Sequence, residues 1–358
     1  MEKIKLGDLC NPCQGQIKVQ PGTIIDYIDI SSIDNNCKTV SGYQTMTFAE
    51  APSRARKAVK KGNILVSTVR PNLNAVAIVE DATPNMTVAS TGFCVLDCKE
   101  NVDKRFVLNF CKSKAFIDEM VAQATGASYP AVSDKIVRAA SVPSYSFHDQ
   151  IKIGEILDKV SLIIAKRKSE LTYLDNLVKA RFVELFGDPI SNSKNLETKS
   201  LNEIMILKAG DFTAASAISD TLTETHRYPC YGGNGIRGFV AEYNQEGEYS
   251  LIGRQGALSG NVQYAKGRFK NTEHALLVTP KIQMNSIWLN QLLINLELKR
   301  FQTGAAQPGL SVKNLQDIPI ITVSIEKQNR FADFVAKIDK SKCDTSNITS
   351  ATQYQLAS

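Results

Sequence analysis

Histidine is scarce in this 358-residue sequence: His148, His226 and His274 are the only three, and they lie far apart. Zinc takes four ligands, and the single C-x-x-C pair, Cys10 and Cys13, has no second pair to complete a site, so no metal is assigned. The eight cysteines are irregularly spaced and read as reduced thiols. No run of ~18 apolar residues occurs, and the opening MEKIKLGDLC lacks the apolar core of a secretory signal. A cytoplasmic chain without a membrane partner is therefore expected. Catalytic signatures are missing too. There is no Gly-Lys-Ser/Thr phosphate loop and no convincing Pro-Asp…Asp/Glu-x-Lys nuclease arrangement. The Asn-Pro-Pro-Tyr type tetrapeptide of adenine methyltransferases is absent as well, and Asn11-Pro12-Cys13 and Asp188-Pro189-Ile190 both miss it. The chain reads as non-catalytic and without a cofactor of its own.

What is present is ordinary for a globular protein: 43% hydrophobic and 22% charged residues, in a chain long enough for two domains. The net charge of +6 favours a polyanionic partner without requiring one. An internal repeat organises the rest. Gly126-Ala127-Ser128-Tyr129-Pro130-Ala131-Val132-Ser133 returns 178 positions later as Gly304-Ala305-Ala306-Gln307-Pro308-Gly309-Leu310-Ser311. The match continues from Val142-Pro143 to Ile318-Pro319 with a two-residue slip, and is back in register at Gln150 and Gln328. Upstream, Leu6-x-Asp8-Leu9 resembles Leu201-x-Glu203-Ile204 at an offset of 195. The plan is domain, helix, domain, helix, with boundaries at 1–147, 148–187, 188–325 and 326–358.

The first long helix has apolar residues at Ile153, Leu157, Val160, Ile164, Leu171, Leu174, Val178 and Leu185, a heptad seam interrupted by Arg167 and Arg181. Its ~36 residues make a rod of about 54 Å, ended by Gly187-Asp188-Pro189. Such a stripe needs a partner. The second helix offers Phe331, Val335 and Ile338, after which Lys342, Thr345, Thr349 and Thr352 erode the seam, with only Leu356 apolar. An antiparallel coiled coil of the two is expected. The remainder reads as short strands, such as Asn63–Ser67 and Tyr249–Gly253, with helices at Lys104–Ala122 and Ser286–Phe301. Each domain is therefore α+β.

Three segments carry a family resemblance: Tyr231-Gly232-Gly233-Asn234-Gly235-Ile236-Arg237-Gly238-Phe239, Leu251-Ile252-Gly253-Arg254-Gln255-Gly256-Ala257-Leu258-Ser259-Gly260-Asn261 and Asn271-Thr272-Glu273-His274-Ala275. In this order and spacing they resemble the target-recognition domain of type I restriction-modification specificity subunits. The first domain carries a different subtype, Gly62-Asn63-Ile64-Leu65-Val66-Ser67-Thr68-Val69-Arg70-Pro71 followed by Ala89-Ser90-Thr91-Gly92-Phe93. The resemblance implies a DNA-binding subunit of a host-defence complex. Two recognition domains would read the halves of a split target in double-stranded DNA, with the helices as a spacer. The implied partners are two methyltransferase subunits and motor-nuclease restriction subunits, and S-adenosylmethionine, ATP and Mg would sit on those partners.

Candidate DNA contacts are the basic cluster Arg54, Arg56, Lys57, Lys60 and Lys61, then Arg70 and Asn72, and in the second domain Arg237, Arg254, Gln255, Asn261 and Lys270. A guanidinium can grip phosphate or the O6/N7 edge of guanine, although a basic cluster is more often a solvated face. Glycines such as Gly253, Gly256 and Gly260 serve turns first. His274, leading into an apolar run, reads as a satisfied structural residue rather than a catalyst. Two alternatives stand beside the main reading. One is an inactive or alternative specificity subunit that occupies methyltransferases, suggested by the eroded seam. The other is a chain with methyltransferase or nuclease activity of its own.

Overall fold

The computed structural model describes residues 2–357 apart from Gln14, Asn36, Ala82 and 305–307, with side chains as far as Lys342. Of the repeated segment, Ala305, Ala306 and Gln307 lie outside the described residues, as do the side chains of the seam positions Thr345, Thr349, Thr352 and Leu356. The chain forms two compact units, 1–166 with 349–358, and 167–348. Both are α+β.

The first unit contains strands β1 (Lys3–Lys5), β2 (Ile24–Ile28), β3 (Ile33–Asp34), β4 (Thr39–Val40), β5 (Gln44–Thr47), β6 (Ala55–Ala58), β7 (Ile64–Ser67), β8 (Val76–Ile78), β9 (Met86–Ser90), β10 (Phe93–Leu96) and β11 (Ser141–Pro143). Its helices are α1 (Lys104–Lys112), α2 (Lys114–Gln123), α3 (Asp134–Ala139) and the start of α4 (Phe147–Phe186). A five-stranded sheet has the order β10-β7-β8-β4-β3, a four-stranded sheet the order β5-β2-β9-β6, and β1 pairs with β11. The apolar run in β7 is explained by burial on both faces. Ile64 and Val66 join the core containing Phe106, Val107 and Phe116, while Leu65 faces the opposite cluster with Ile28, Ala77 and Phe93. The single helix expected over Lys104–Ala122 is two helices. Ser113 takes an extended conformation, and its side chain accepts from Phe116 N, starting a new helix instead of prolonging the old one.

The second unit contains β12 (Thr198–Ser200), β13 (Met205–Ala209), β14 (Tyr228–Gly232), β15 (Gly235–Val240), β16 (Gln245–Gly253), β17 (Val262–Asn271), β18 (Ala275–Pro280) and β19 (Pro319–Ile321). Its helices are α5 (Leu201–Ile204), α6 (Ser286–Asn295) and α7 (Val312–Leu315), with most of α8 (Ile325–Ala357). Six strands form one sheet, β13-β18-β16-β17-β14-β15, and β12 pairs with β19. Alternation again sorts the faces. Ile252, Leu276 and Val278 meet the helices, while Leu251 and Leu277 meet Phe269 on the other side. The helix expected to reach Phe301 stops earlier, because Glu297 adopts a left-handed conformation (φ 50°) before a 3-10 turn at Leu298–Phe301.

The end of α4 belongs to this second core, and here one seam residue moves. Leu185 is 37% exposed, whereas Phe182 and Phe186 are buried at 0% and 2%. A straight helix drifts by ~20° per heptad, so the buried stripe advances in steps of four from Val178 to Phe182 to Phe186 as the helix leaves the seam and enters the globular core. Phe182 packs edge-on against Phe331 of α8 with centroids 5.4 Å apart, and Phe186 meets Trp288 of α6 at 6.0 Å. One turn and more back along α4, Asp175 pairs with Lys342 further along α8 at 2.8 Å, so these contacts run in opposite senses on the two helices. Lys342 thus answers a carboxylate where the heptad pattern asks for an apolar residue.

A polar network ties the sheet to α6. Glu248 accepts from Tyr264 Oη (2.7 Å) and Ser286 Oγ (2.9 Å) and pairs with Lys266 Nζ (2.9 Å). The ammonium first, then the two hydroxyls, hold its carboxyl down to about 2 from an ordinary 4.5. A depressed carboxyl pKa contributes stability above the ordinary pKa and loses it as pH falls through the folded one. The second unit is therefore expected to weaken progressively between pH ~5 and ~2, modestly because the side chain is part-exposed. Glu248→Gln should flatten that part of the curve, and parallel acid curves for the two proteins would assign the loss elsewhere.

Candidate nucleic-acid interface

The internal repeat becomes a repeated piece of backbone. In the first unit Val132 N donates to Thr68 O (2.8 Å) and Arg70 N to Pro130 O (2.7 Å), while Thr125 and Ala131 exchange backbone bonds. In the second, Leu310 N donates to Arg254 O (2.8 Å) and Gly256 N to Pro308 O (2.9 Å), while Thr303 and Gly309 exchange theirs. Thr68 N reaches Gly92 O as Arg254 N reaches His274 O. In each unit, the end of one strand (β7 or β16), the turn before its neighbour (β10 or β18) and the proline loop close into one junction. Ser133 and Ser311 then cap the short helices that follow.

Two buried glutamines repeat as well. Gln150 Oε1 accepts from Asp103 N (3.1 Å) and its Nε2 donates to Tyr145 O (3.0 Å). Gln328 does the same with Asn285 N (2.8 Å) and Val323 O (2.9 Å). Asp103 and Asn285 are the N-cap residues of α1 and α6, so each glutamine fastens the start of a long helix to the start of a domain helix. The slip read between Val142-Pro143 and Ile318-Pro319 does not exist in the fold. Lys5 pairs with Ser141 and Ser200 with Pro319, which makes Pro143 equivalent to Ile321 at the unbroken offset. Matching one proline to another produced the false slip.

The candidate residues separate into bound and presented groups. The cluster Arg54 to Lys61 is not one basic patch. Arg54 pairs with Asp29 (2.5 Å), Lys57 with Asp134 (2.5 Å) and Lys60 with Asp97 (2.9 Å), and Arg56 lies over the Phe48 ring at 4.8 Å. Lys57 also donates to Phe93 O at 2.6 Å and its side chain is only 19% exposed, so it is part of the fold. Lys61 is exposed and makes no ion pair among the described residues. Within β6, whose register shifts between Ala55 and Lys57, Arg56 and Lys57 go to different partners, a phenyl ring and a carboxylate. Among the same cluster's neighbours, burial pushes the Asp97 carboxyl up, but Lys60 and bonds from Asn11 and Asn63 together outweigh it and hold the group below the usual carboxylate range.

Asn261 is spent on a loop clasp with Asn234 (2.9 Å), and Lys270 lies 3.5 Å from Asp211. Arg237 is exposed on β15. Arg254 and Gln255 stand at the second junction, where His274 lies between Gln255 Oε1 (2.6 Å from Nδ1) and Glu273 Oε1 (3.1 Å from Nε2). Arg70 and Asn72 are exposed at the first junction, with the Arg70 guanidinium 4.7 Å from the centroid of the Tyr129 ring. Tyr129 escaped the sequence reading as a site residue, although it sits within the repeated segment immediately before its proline. Cys10 and Cys13 diverge, one buried and one exposed. Among the described residues no group of His, Cys, Asp and Glu is arranged to hold a metal, and no helix is long and apolar enough to cross a membrane.

Residues 193–352 match the family model for the type I restriction modification DNA specificity domain. The chain is 39% identical over 201 residues to the type I restriction enzyme EcoprrI specificity subunit of Escherichia coli, a stretch covering 55% of this chain and 50% of that protein. It spans half the length or less of the curated relatives it matches. Among solved structures, the type I restriction-modification S subunit from M. genitalium superposes with a TM-score of 0.59 at 17% identity, covering 99% of this chain and 93% of that one. A chain from a study of assembly and conformational transition in the type I R-M system gives 0.57 at 22% identity, with the same coverages. At such identities the likeness is one of fold. The second half of the chain thus carries a type I restriction modification DNA specificity domain, and the chain along its length has the fold seen in type I restriction-modification S subunits.

Proposed function

We propose that the chain is the non-catalytic DNA-reading subunit of a type I restriction-modification complex, each unit reading one half of a bipartite target. The observation that carries this is the junction built twice on equivalent backbone but furnished differently: Arg70 and Asn72 in one copy, Arg254, Gln255 and His274 in the other. A common scaffold with divergent side chains, Arg70, Asn72 and Gln255 exposed and Arg254 and His274 half-buried, suits two modules that read different sequences in the same way. Guanidinium and amide groups are the side chains that read purine edges in the major groove. Methyltransferase and restriction subunits would supply the chemistry, with S-adenosylmethionine, ATP and Mg bound there. We further propose that α4 and α8 pair as an antiparallel coiled coil that sets the gap between the half-targets, the opposite-sense contacts Phe182–Phe331 and Asp175–Lys342 supporting this reading.

The test is to co-produce the chain with its host's methyltransferase subunits and sequence the resulting adenine methylation. A split motif is expected. Arg254→Ala should relax one half only, and adding one heptad to each long helix should widen the gap by about 3 bp while leaving both half-sequences unchanged. Absence of any motif overturns the reading function. An unchanged gap in an active double insertion overturns the spacer.

A further inference from the structure

We infer that Arg70, stacked on Tyr129, is a base-reading residue for the half-target of the first unit, and that Tyr129 is its positioning residue; this rests on the DNA-reading function proposed above. At the junction the residue that donates to the repeated proline's carbonyl must be left-handed. In the second unit that residue is Gly256 (φ +78°), the type that adopts this region freely, and a Cβ there would meet nothing within 4 Å. In the first unit the same place is held by Arg70 with φ 49°. A non-glycine residue with a long side chain is unfavourable in this region, and the scaffold does not call for one, since glycine closes the same junction in the other copy. An arginine kept there at a conformational cost points to a use for its side chain.

The side chain is also arranged for use. Arg70 is exposed, and its backbone is pinned on both sides, N to Pro130 O at 2.7 Å and O from Leu73 N at 2.9 Å. Its guanidinium lies 4.7 Å from the ring centroid of Tyr129, itself 68% exposed and adjacent to Pro130. This cation–π contact is made with the ring face and consumes none of the guanidinium's N–H donors. Among the described residues none of these donors makes a hydrogen bond or ion pair. This contrasts with Arg54, which is occupied by Asp29 and Tyr27. A guanidinium seated over a ring with its donors unpaired can supply the two parallel donors that match the O6/N7 edge of guanine. Stacking also reduces the side-chain freedom that docking would otherwise remove. The second unit carries its guanidinium two residues earlier, as Arg254 in the place of Thr68, so the two copies direct their forks from different points of one scaffold.

The experiment is methylation sequencing of the reconstituted complex with Arg70→Gly, Arg70→Lys and Tyr129→Leu, each checked for an unchanged unfolding midpoint. Arg70→Gly supplies the residue the backbone favours, so folding should be unharmed or improved. Preference at one base pair, in one half-target only, should fall by about 5- to 150-fold, the discrimination of a bidentate contact. Arg70→Lys should not restore it, and Tyr129→Leu should weaken the same position by a smaller factor. An unchanged motif with Arg70→Gly overturns the inference. So does a uniform drop in methylation at every position with the motif intact, which marks a phosphate contact. Loss of stability in Arg70→Gly with the motif preserved makes the stack a structural brace and also overturns it. If the unaltered complex yields no motif at all, the failure belongs to the DNA-reading function rather than to Arg70.

Discussion

Phe182→Ala is expected to destabilise the second unit by ~3–5 kcal/mol, read as a lower urea midpoint with an unchanged slope. The residue is fully buried and touches Phe186, Trp288 and Phe331, so truncation removes a large apolar side chain from a site whose walls come from α4, α6 and α8. Ring contacts of this kind are lost with it, and three separate helices cannot readily collapse into the space. Leu185→Ala, three residues on and 37% exposed, should stay within about 0.5 kcal/mol, as surface substitutions do. The pair of variants separates two descriptions of this helix end. Equal losses at Phe182 and Leu185 would mean that the heptad seam continues to the end of α4 and that the core contacts are secondary.

The second large effect concerns the glutamine clamp. Gln328→Ala should cost ~2–4 kcal/mol, because Asn285 N–H and Val323 C=O both lose their partner in a place where the side chain is 3% exposed and water does not readily replace it. Gln150→Ala should cost the first unit a similar amount through Asp103 N–H and Tyr145 C=O. Hydrogen exchange gives the sharper readout. Protection should fall at the first turn of α6 in one variant and of α1 in the other, each confined to its own unit. A glutamate at either position keeps the acceptor but not the donor, so Gln328→Glu should recover little. If both alanine variants unfold like the unaltered protein, the repeat of these glutamines has no energetic meaning.

The long helices, the α+β character and the two-fold plan were legible because they rest on periodicity. Apolar spacing in α4, and a duplicated Gly…Pro…Ser segment whose serines cap helices, survive translation into three dimensions with their boundaries shifted by a residue or two. The second unit's segments 231–239, 251–261 and 271–275 were informative for the same local reason, since each is one turn and the strand beside it. Where the reading went astray, the missing information was a distant partner. The basic cluster at Arg54–Lys61 looks continuous along the chain, yet Arg54, Lys57 and Lys60 are met by Asp29, Asp134 and Asp97, residues 25 to 77 positions away. The proline slip and the shift from Leu185 to Phe182 and Phe186 have the same origin, whereas the helix break at Ser113 is local, its side chain capping Phe116 N.

By itself, the order of residues determined where the long helices lie, that one backbone pattern occurs twice, and the resemblance to type I specificity subunits, because these follow from local spacing and from motifs a few residues long. Tertiary structure alone decided which of the many basic and polar side chains are occupied and which are free. Electrostatic neutralisation and stacking depend on groups brought together across the fold. It is the closing of the strand end on the proline loop that sets Arg70 against Tyr129, and Gln255 against His274, in a left-handed turn that glycine fills in one copy and arginine in the other.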